Sequence, residues 1–319
     1  MRRPLSLLLA LALLSSALLA ACGPAAAPQT TTVKVAVLPI LDALPMYVAD
    51  AQGYFKNEHL DVQFIPVSSA AERDQVIQAG QADAMINDLI STMLYNKDQT
   101  QIVIVDFART ATPDFPQYRV LAAKDSGIQT VDDLRGVDIG VSEGTVIEYT
   151  TDRLLEEAGL SPSDIKTLAV PKIPDRMSLL DSGELKAANL PDPLASLAIQ
   201  NGARVIIDDT RDPKYGNSVI SFRTDYIQKH PDAVRGFLAA VQKAAADINA
   251  DKTQWDTLLT DKSLVPAPLM GTYKIPDFPA GSVPSESQFA DVLAWTHEKG
   301  LISGDVSYSS SVDASFLPK

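Results

Sequence analysis

Hydrophobic positions recur with two rhythms along this chain. A period of two runs through 33–38, where Val33, Val35 and Val37 alternate with their neighbours. That spacing predicts a buried strand, because successive strand side chains point to opposite faces. Pro39 closes it. Asp42 and Pro45 then suit the start of a helix, the first as a capping acceptor, the second as a first-turn residue. This helix runs through Tyr47 and Val48 toward Gly53. The alternation goes on with a strand at 61–67, a helix at 70–79 stopped by Gly80, a strand at 84–86 and a helix at 89–95. A strongly apolar strand at 101–107, a polar loop at 108–117 and a strand at 118–123 follow. Strands alternating with helices predict an α/β architecture with mostly parallel sheet.

The rhythm restarts with a short helix at 131–134 and a strand at 137–141. A helix over 145–158 sets Ile147, Leu154, Leu155 and Ala158 on one face and ends at Gly159. Strand 167–170, helix 175–181, strand 187–190, helix 194–200 and strand 204–207 complete a second unit of ordinary domain size. A strand at 217–222 returns to the first unit. Pro231 opens a long helix with Val234, Phe237, Leu238, Val241, Ala245 and Ile248 at spacings of three and four. The remaining tail is mostly helical, with a proline-rich interruption over 265–284. Trp255 and Trp295 lie on its helices and read as packing residues. No internal repeat points to a solenoid or propeller.

The first residues follow another logic. Arg2 and Arg3 precede an apolar run over 7–19, and Leu19-Ala20-Ala21 lead into Cys22. A basic start, a short apolar stretch and small residues predict an export signal over 1–21. The run is too short for a convincing membrane-crossing helix. Residues 22–32 form a small-residue, proline-containing tether. Cys22 is the only cysteine, so an internal disulfide and a Cys-rich metal site are excluded.

Charge and motifs narrow the classes further. A net charge of −13 argues against a nucleic-acid partner, which needs a basic surface. His59, His230 and His297 lack metal-binding spacing, so no metal is expected. No phosphate-binding loop and no G-x-S-x-G elbow occur, which argues against an ATPase and a hydrolase of that type. No cofactor is expected.

Two stretches carry a family resemblance. P-M-Y-V-A-D-A-Q-G-Y-F-K-N-E-H-L-D-V over 45–62, with D-L-R-G-V-D-I-G-V over 133–141, resembles substrate-binding proteins of ABC importers. The group concerned includes thiamine-pyrimidine-precursor, alkanesulfonate, taurine and nitrate binders. L-A-A-C similarly resembles a bacterial lipoprotein signal, which implies acylation of Cys22 and attachment by buried lipid chains. The resemblance implies a two-lobe periplasmic-binding-protein fold of type II, each lobe a mixed, mostly parallel sheet flanked by helices. Lobe one would be 33–122 plus 214–319 and lobe two 123–213, with crossings near Ala122 and Pro213. It also implies a binding protein rather than an enzyme, lipid-anchored on the extracytoplasmic face of the cell membrane. Its partners would be a small ligand, a permease and the permease's ATPase.

In open α/β sheets, ligands sit beyond the carboxyl ends of strands. Asp42 and Tyr47 follow the first strand, Asp88 the third, and Ser142, Glu143 and Thr145 the strand at 137–141. Asn189 and Asp192 close the strand at 187–190. Asp88, Ser142 and Asp192 equally suit helix caps. The S-E-G-T turn resembles the anion-holding loop of sulfonate and nitrate binders, and a helix N-terminus suits an anion. A cleft lined by acids would repel one unless Arg109 or Arg119 compensates. Asp42-Ala43 also stands where relatives often show Asn-His. Acids together with Tyr47, Phe115, Tyr118 and Tyr149 suit a heterocycle bearing hydroxyls, with aromatic rings to stack on it. Riboflavin is therefore the expected ligand, with a thiamine-pyrimidine precursor or an anion such as an alkanesulfonate or nitrate as alternatives. A thiamine-precursor synthase is the competing enzyme reading, disfavoured by the export signal. A sensor subunit is a third reading that the sequence leaves open. Tyr54 and Phe55 read as packing for the first helix.

Overall fold

The computed structural model describes residues 30–319, so the export signal, Cys22 and most of the tether lie outside the described residues. Two five-stranded sheets organise the chain. Sheet one contains β1 (Thr31–Val37), β2 (Leu60–Pro66), β3 (Ala84–Asn87), β4 (Ile102–Thr110) and β10 (Asn217–Arg223). Sheet two contains β5 (Tyr118–Ala122), β6 (Asp138–Val141), β7 (Lys166–Ala169), β8 (Ala187–Pro191) and β9 (Arg204–Asp208). Their orders are β2-β1-β3-β10-β4 and β7-β6-β8-β5-β9. In sheet one the returning strand β10 runs antiparallel to β3 and β4, and in sheet two β5 runs antiparallel to β8 and β9. The two sheets with their flanking helices match the expected periplasmic-binding-protein fold.

One boundary needs correction. Strand 118–123 was expected in lobe one, yet β5 is hydrogen-bonded inside sheet two, between β8 and β9. The first crossing therefore lies between Thr110 and Tyr118, upstream of Ala122. A strand as apolar as Tyr118–Ala122 fits the middle of either sheet, and nothing local says which. The chain returns between Asp208 and Asn217, a stretch that contains Pro213.

Among the described residues, twelve helices flank the sheets. They are α1 (Leu44–Ala51), α2 (Tyr54–Asn57), α3 (Ala70–Gln78), α4 (Leu89–Asn96), α5 (Val146–Glu157) and α6 (Ile173–Ser182). After them come α7 (Leu194–Gln200), α8 (Thr224–Lys229), α9 (Pro231–Ala250), α10 (Asp256–Asp261), α11 (Glu286–Glu298) and α12 (Tyr308–Ser311). The Gly-Tyr-Phe motif packs the first lobe. Gly53 takes a left-handed φ of 72°, which lets α2 turn away from α1. Phe55 stacks on Phe237 of α9 at 5.1 Å, and Tyr54 donates to Asp247.

The C-terminal segments also belong mainly to lobe one. Ser282 accepts from the backbone N–H of Phe107 and donates its own to Asp106, both on β4. Asp313 donates to the carbonyl of Ile104. Helix α11 is thus tied to lobe one through the segments on both of its sides.

A cleft between the lobes

Asp42 does not cap α1 as expected. It lies in a short 3-10 turn over Leu41–Ala43, and the residue before α1 makes no side-chain cap. Its carboxylate turns instead toward the two crossings. It accepts from Gln117 Nε2 at 3.0 Å and Ser218 Oγ at 2.5 Å, and stands 3.6 Å from Arg109 Nη1. All four residues are buried. Arg109 thus compensates Asp42 inside the fold.

Asp192 is compensated in the same way by Arg119, with which it forms a close ion pair. It also accepts from Ser196 Oγ and from Tyr273 OH, each at 2.6 Å. These partners, with the Arg119 charge, hold its carboxyl below the usual carboxylate range despite the opposing cost of burial.

Between the lobes lies a cavity of about 50 Å³, set within about 560 Å³ of free space that includes its mouth. Five of the expected residues line it: Asp42, Asp88, Tyr118, Ser142 and Thr145. Apolar cover comes from Leu38, Ile40 and Ile86 in lobe one and from Ile147 and Ile173 in lobe two.

The other five do not reach it. Tyr47 packs its ring 4.6 Å from Phe64, and Lys262 lies over its face. Phe115 sits half-buried in a backbone turn with Thr112 on the first crossing. Glu143 is exposed. Asn189 lies beneath the wall, where its amide donates to the Ile147 carbonyl and to Thr151 Oγ1. Asp192 is spent on the partners just described. Tyr149 faces Trp295 and Tyr215 and donates to Asp291. Among the described residues, the cavity wall carries one aromatic ring, that of Tyr118.

Two arginines on the wall were not anticipated. Arg73 of α3 is 2% exposed and Arg176 of α6 is 0% exposed. Each leaves its Nη2 buried without a hydrogen-bond partner. Arg73 is balanced by Asp74 at 2.9 Å and Asp88 at 3.7 Å. Arg176 differs. Its Nε donates to the Asn189 carbonyl at 2.8 Å and its Nη1 to the Val170 carbonyl at 2.6 Å. Among the described residues no carboxylate lies within ion-pair distance of it. Burial alone lowers its pKa to about 10, so it remains a cation at neutral pH.

The sequence did carry a signal for both. Arg176 shares a helical face with Ile173, Met177 and Leu180, and Arg73 shares one with Ile77. A charged residue at an apolar-face position is the mark of a buried charge.

The S-E-G-T turn is already occupied by the chain's own groups. Thr145 caps α5 by accepting from Ile147 N at 3.2 Å, and Gly144 N donates to Glu148 Oε2 at 2.7 Å. Asp88 of lobe one caps α4 through Ser91 N at 2.8 Å and also faces the backbone N–H of Val146 on lobe two. Burial nevertheless pushes the Asp88 carboxyl upward. The helix N-terminus expected to hold an anion thus has inward-facing acceptors of its own. Of the two arginines on the cavity wall, Arg176 is the one with carbonyl acceptors only and no carboxylate partner among the described residues.

Two lobes joined by two crossings, with a cavity between them, make up the periplasmic-binding-protein fold. The sequence carries the NMT1/THI5-like family signature over residues 41–254, and the chain belongs to that family. It is 31% identical over 156 residues to the putative aliphatic sulfonates-binding protein of Escherichia coli K12. That match covers 48% of this chain and 48% of the relative. A 22% identical match covers 66% of this chain and 63% of the 4-amino-5-hydroxymethyl-2-methylpyrimidine phosphate synthase of Schizosaccharomyces pombe. Among solved structures, it is similar to the alkanesulfonate-binding protein SsuA of Xanthomonas axonopodis pv. citri bound to MOPS. The TM-score is 0.75 at 16% identity, over 90% of this chain and 99% of that one. The nitrate-binding protein NrtA of Synechocystis PCC 6803 superposes with a TM-score of 0.69 at 14% identity, over 91% of this chain and 88% of that one.

Proposed function

We propose that the chain is the solute-binding component of an ABC-type import system and that its ligand is a small molecule bearing an acid group. The ligand would sit between the lobes with that acid group on Arg176. One observation carries the acid preference: a fully buried guanidinium on the cavity wall with no carboxylate partner and one unsatisfied Nη2. An uncompensated buried cation is costly, and a bound anion removes that cost through a charge-assisted hydrogen bond. Arg73 Nη2 offers a second donor from lobe one. The isoleucines of both lobes give such a contact apolar surroundings, which would strengthen it. The names of the sulfonate- and nitrate-binding relatives agree with this chemistry.

The riboflavin reading keeps only part of its residue-level support, since Asp42, Asp88, Tyr118, Ser142 and Thr145 line the cavity and the other five expected residues do not. Asp42 and Asp192 have internal partners, and Tyr47 and Phe115 stand away from the cavity. Acylation of Cys22, attachment to the extracytoplasmic face of the membrane and delivery to a permease with its ATPase remain part of the proposal. They rest on the L-A-A-C sequence and on the kinship with importer components.

A thermal-shift panel tests the ligand class. Ethanesulfonate, nitrate, bicarbonate, riboflavin and 4-amino-5-hydroxymethyl-2-methylpyrimidine would each be added to the purified protein. A ligand at 100 times its Kd adds about 2.7 kcal/mol of stability. At least one of the three anions should raise the melting temperature, and the two heterocycles should not. Stabilisation by a heterocycle alone would overturn the acid-group reading.

A further inference from the structure

Helix α11 is held on lobe one, yet one face of it meets helix α5 of lobe two. Thr296 Oγ1 contacts the sulfur of Met93 on α4 at 3.7 Å, on the lobe-one side. Toward lobe two, Trp295 Nε1 donates to Asp152 Oδ2 at 2.9 Å and Tyr149 OH donates to Asp291 at 2.5 Å. Just beyond α11, Lys299 Nζ lies 2.5 Å from Glu148 Oε1 and 3.1 Å from Asp152 Oδ2.

Glu148 connects this contact to the cavity. It is 5% exposed, and its two oxygens serve different masters. Oε1 takes Lys299, and Oε2 takes the backbone N–H of Gly144 at 2.7 Å. Gly144 adopts a φ of +67°, and the side chain of Leu301 comes within 3.9 Å of where its Cβ would stand. The same turn carries Ser142 and Thr145 into the cavity, and Thr145 Oγ1 donates to the Ser142 carbonyl at 2.7 Å. A lobe-one cation therefore fixes, through one buried carboxylate, the shape of a lobe-two turn on the ligand cavity.

We propose that Lys299 and Glu148 are positioning residues that couple closure of the lobes to the ordering of the Ser142–Glu143–Gly144–Thr145 turn. When the lobes part, Lys299 leaves Glu148, a buried acid loses its counter-charge, and the turn loosens. When they close, the ion pair forms again and the turn is set for the ligand. The closed form is thereby favoured by a contact outside the cavity, and ligand affinity depends on that closed fraction. The inference rests on the cleft being the ligand site, but its structural part can be read without any ligand.

Two readouts on the full chain test it. Hydrogen–deuterium exchange would follow the peptide containing Gly144, and paired spin labels on exposed sites of the two lobes would report the distance between them. Lys299→Met is expected to speed exchange of that peptide by about tenfold, as loss of one charge-assisted contact implies. It should also shift the label distances toward a wider, open population. Lys299→Arg should restore both readouts, since it keeps the charge. Unchanged exchange and unchanged distances in Lys299→Met, with or without a lower melting temperature, would make Lys299 merely structural and overturn the proposal. Should Lys299→Met fail to fold, Glu148→Gln serves in its place. It keeps an acceptor for Gly144 N but drops the ion pair, so the distances should widen while exchange at Gly144 changes less. Unaltered distances in that variant would again overturn the proposal. Absence of binding to every probe in the thermal-shift panel would count against the ligand reading and leave these readouts unaffected.

Discussion

The side-chain amide of Gln117, on the first crossing, donates to Asp42 Oδ2 at 3.0 Å, so a hinge residue holds the acid in the turn before the first helix of lobe one. The backbone N–H of the same Gln117 donates to Asp209 Oδ1 at 2.8 Å, where the second crossing begins. Ser218 and Arg109 complete the group around Asp42. The two crossings are thus joined by one buried polar network beside the cavity. Arg109 Nε and Nη1, Gln117 Oε1 and Asp209 Oδ2 already lack a hydrogen-bond partner in it, so the network can spare no further acceptor.

Removing Asp42 should therefore be costly. Asp42→Ala leaves the buried Arg109 guanidinium without its nearest carboxylate and strips acceptors from Gln117 and Ser218. Breaking a buried ion pair in this way costs about 3–5 kcal/mol. Urea unfolding of the two proteins should show a loss of that order. A loss near zero would mean that the network adds nothing to the fold.

The hinge should also respond to pH. Asp209 is fully buried, and burial raises its pKa to about 7 against the opposing pull of its backbone hydrogen bonds and Arg109. Asp106 on β4 is raised to about 6 for the same leading reason. Both folded values lie above the unfolded one, so between them the native state holds more protons than the unfolded state. Stability is then fully present below about pH 4 for these two groups and declines as pH rises through about 6 and 7. One proton contributes at most about 1.4 kcal/mol per pH unit. Asp209→Asn should reduce the decline between pH 4 and 7 and be the more stable protein above pH 7. Unfolding curves at a series of pH values check this. An unaltered slope would remove Asp209 from the account.

Gly216 has no room for a side chain. A Cβ there would stand 1.6 Å from Asp209 Oδ2 and 2.6 Å from its Cγ. Gly216→Ala forces the second crossing or the Asp209 side chain to move, at a cost of about 1–3 kcal/mol. A melting temperature equal to that of the wild type would contradict the packing described for this crossing.

How much of this could be read from the sequence varies by element. The hydrophobic pattern located both sheets because Val33, Val35 and Val37 are buried where their alternation puts them, and the short apolar runs at 84–86 and 187–190 are buried throughout. It failed on β5, whose partner sheet is a tertiary choice. At the site, Asp88 and Thr145 were legible because strand ends and caps have local signatures, and both act as caps. Asp42 and Asp192 were legible as candidates but not in their role, since Arg109 and Arg119 reach them only through the fold. Arg73 and Arg176 passed unnoticed because a charge in a helix is ordinarily a solvated one. Only their phase with Ile77 and with Ile173 and Leu180 sets them apart.

Arg176 should matter more to binding than to stability. In the empty protein it is a buried cation with two carbonyl partners and no acid. Arg176→Met removes the cost of the buried charge but leaves the Asn189 and Val170 carbonyls without this donor, two effects that oppose each other. The melting temperature of the ligand-free variant should therefore stay close to that of the wild type. A large drop would assign Arg176 a structural role.

The most direct measurement is a calorimetric titration of the anion that most raises the melting temperature, run in parallel on wild type and Arg176→Met. Loss of a buried, hydrogen-bonded charge from such a contact costs about 2–5 kcal/mol, so affinity should fall by about thirtyfold or more. Equal affinity of the two proteins for that anion would contradict Arg176 as the residue that holds the ligand's acid group.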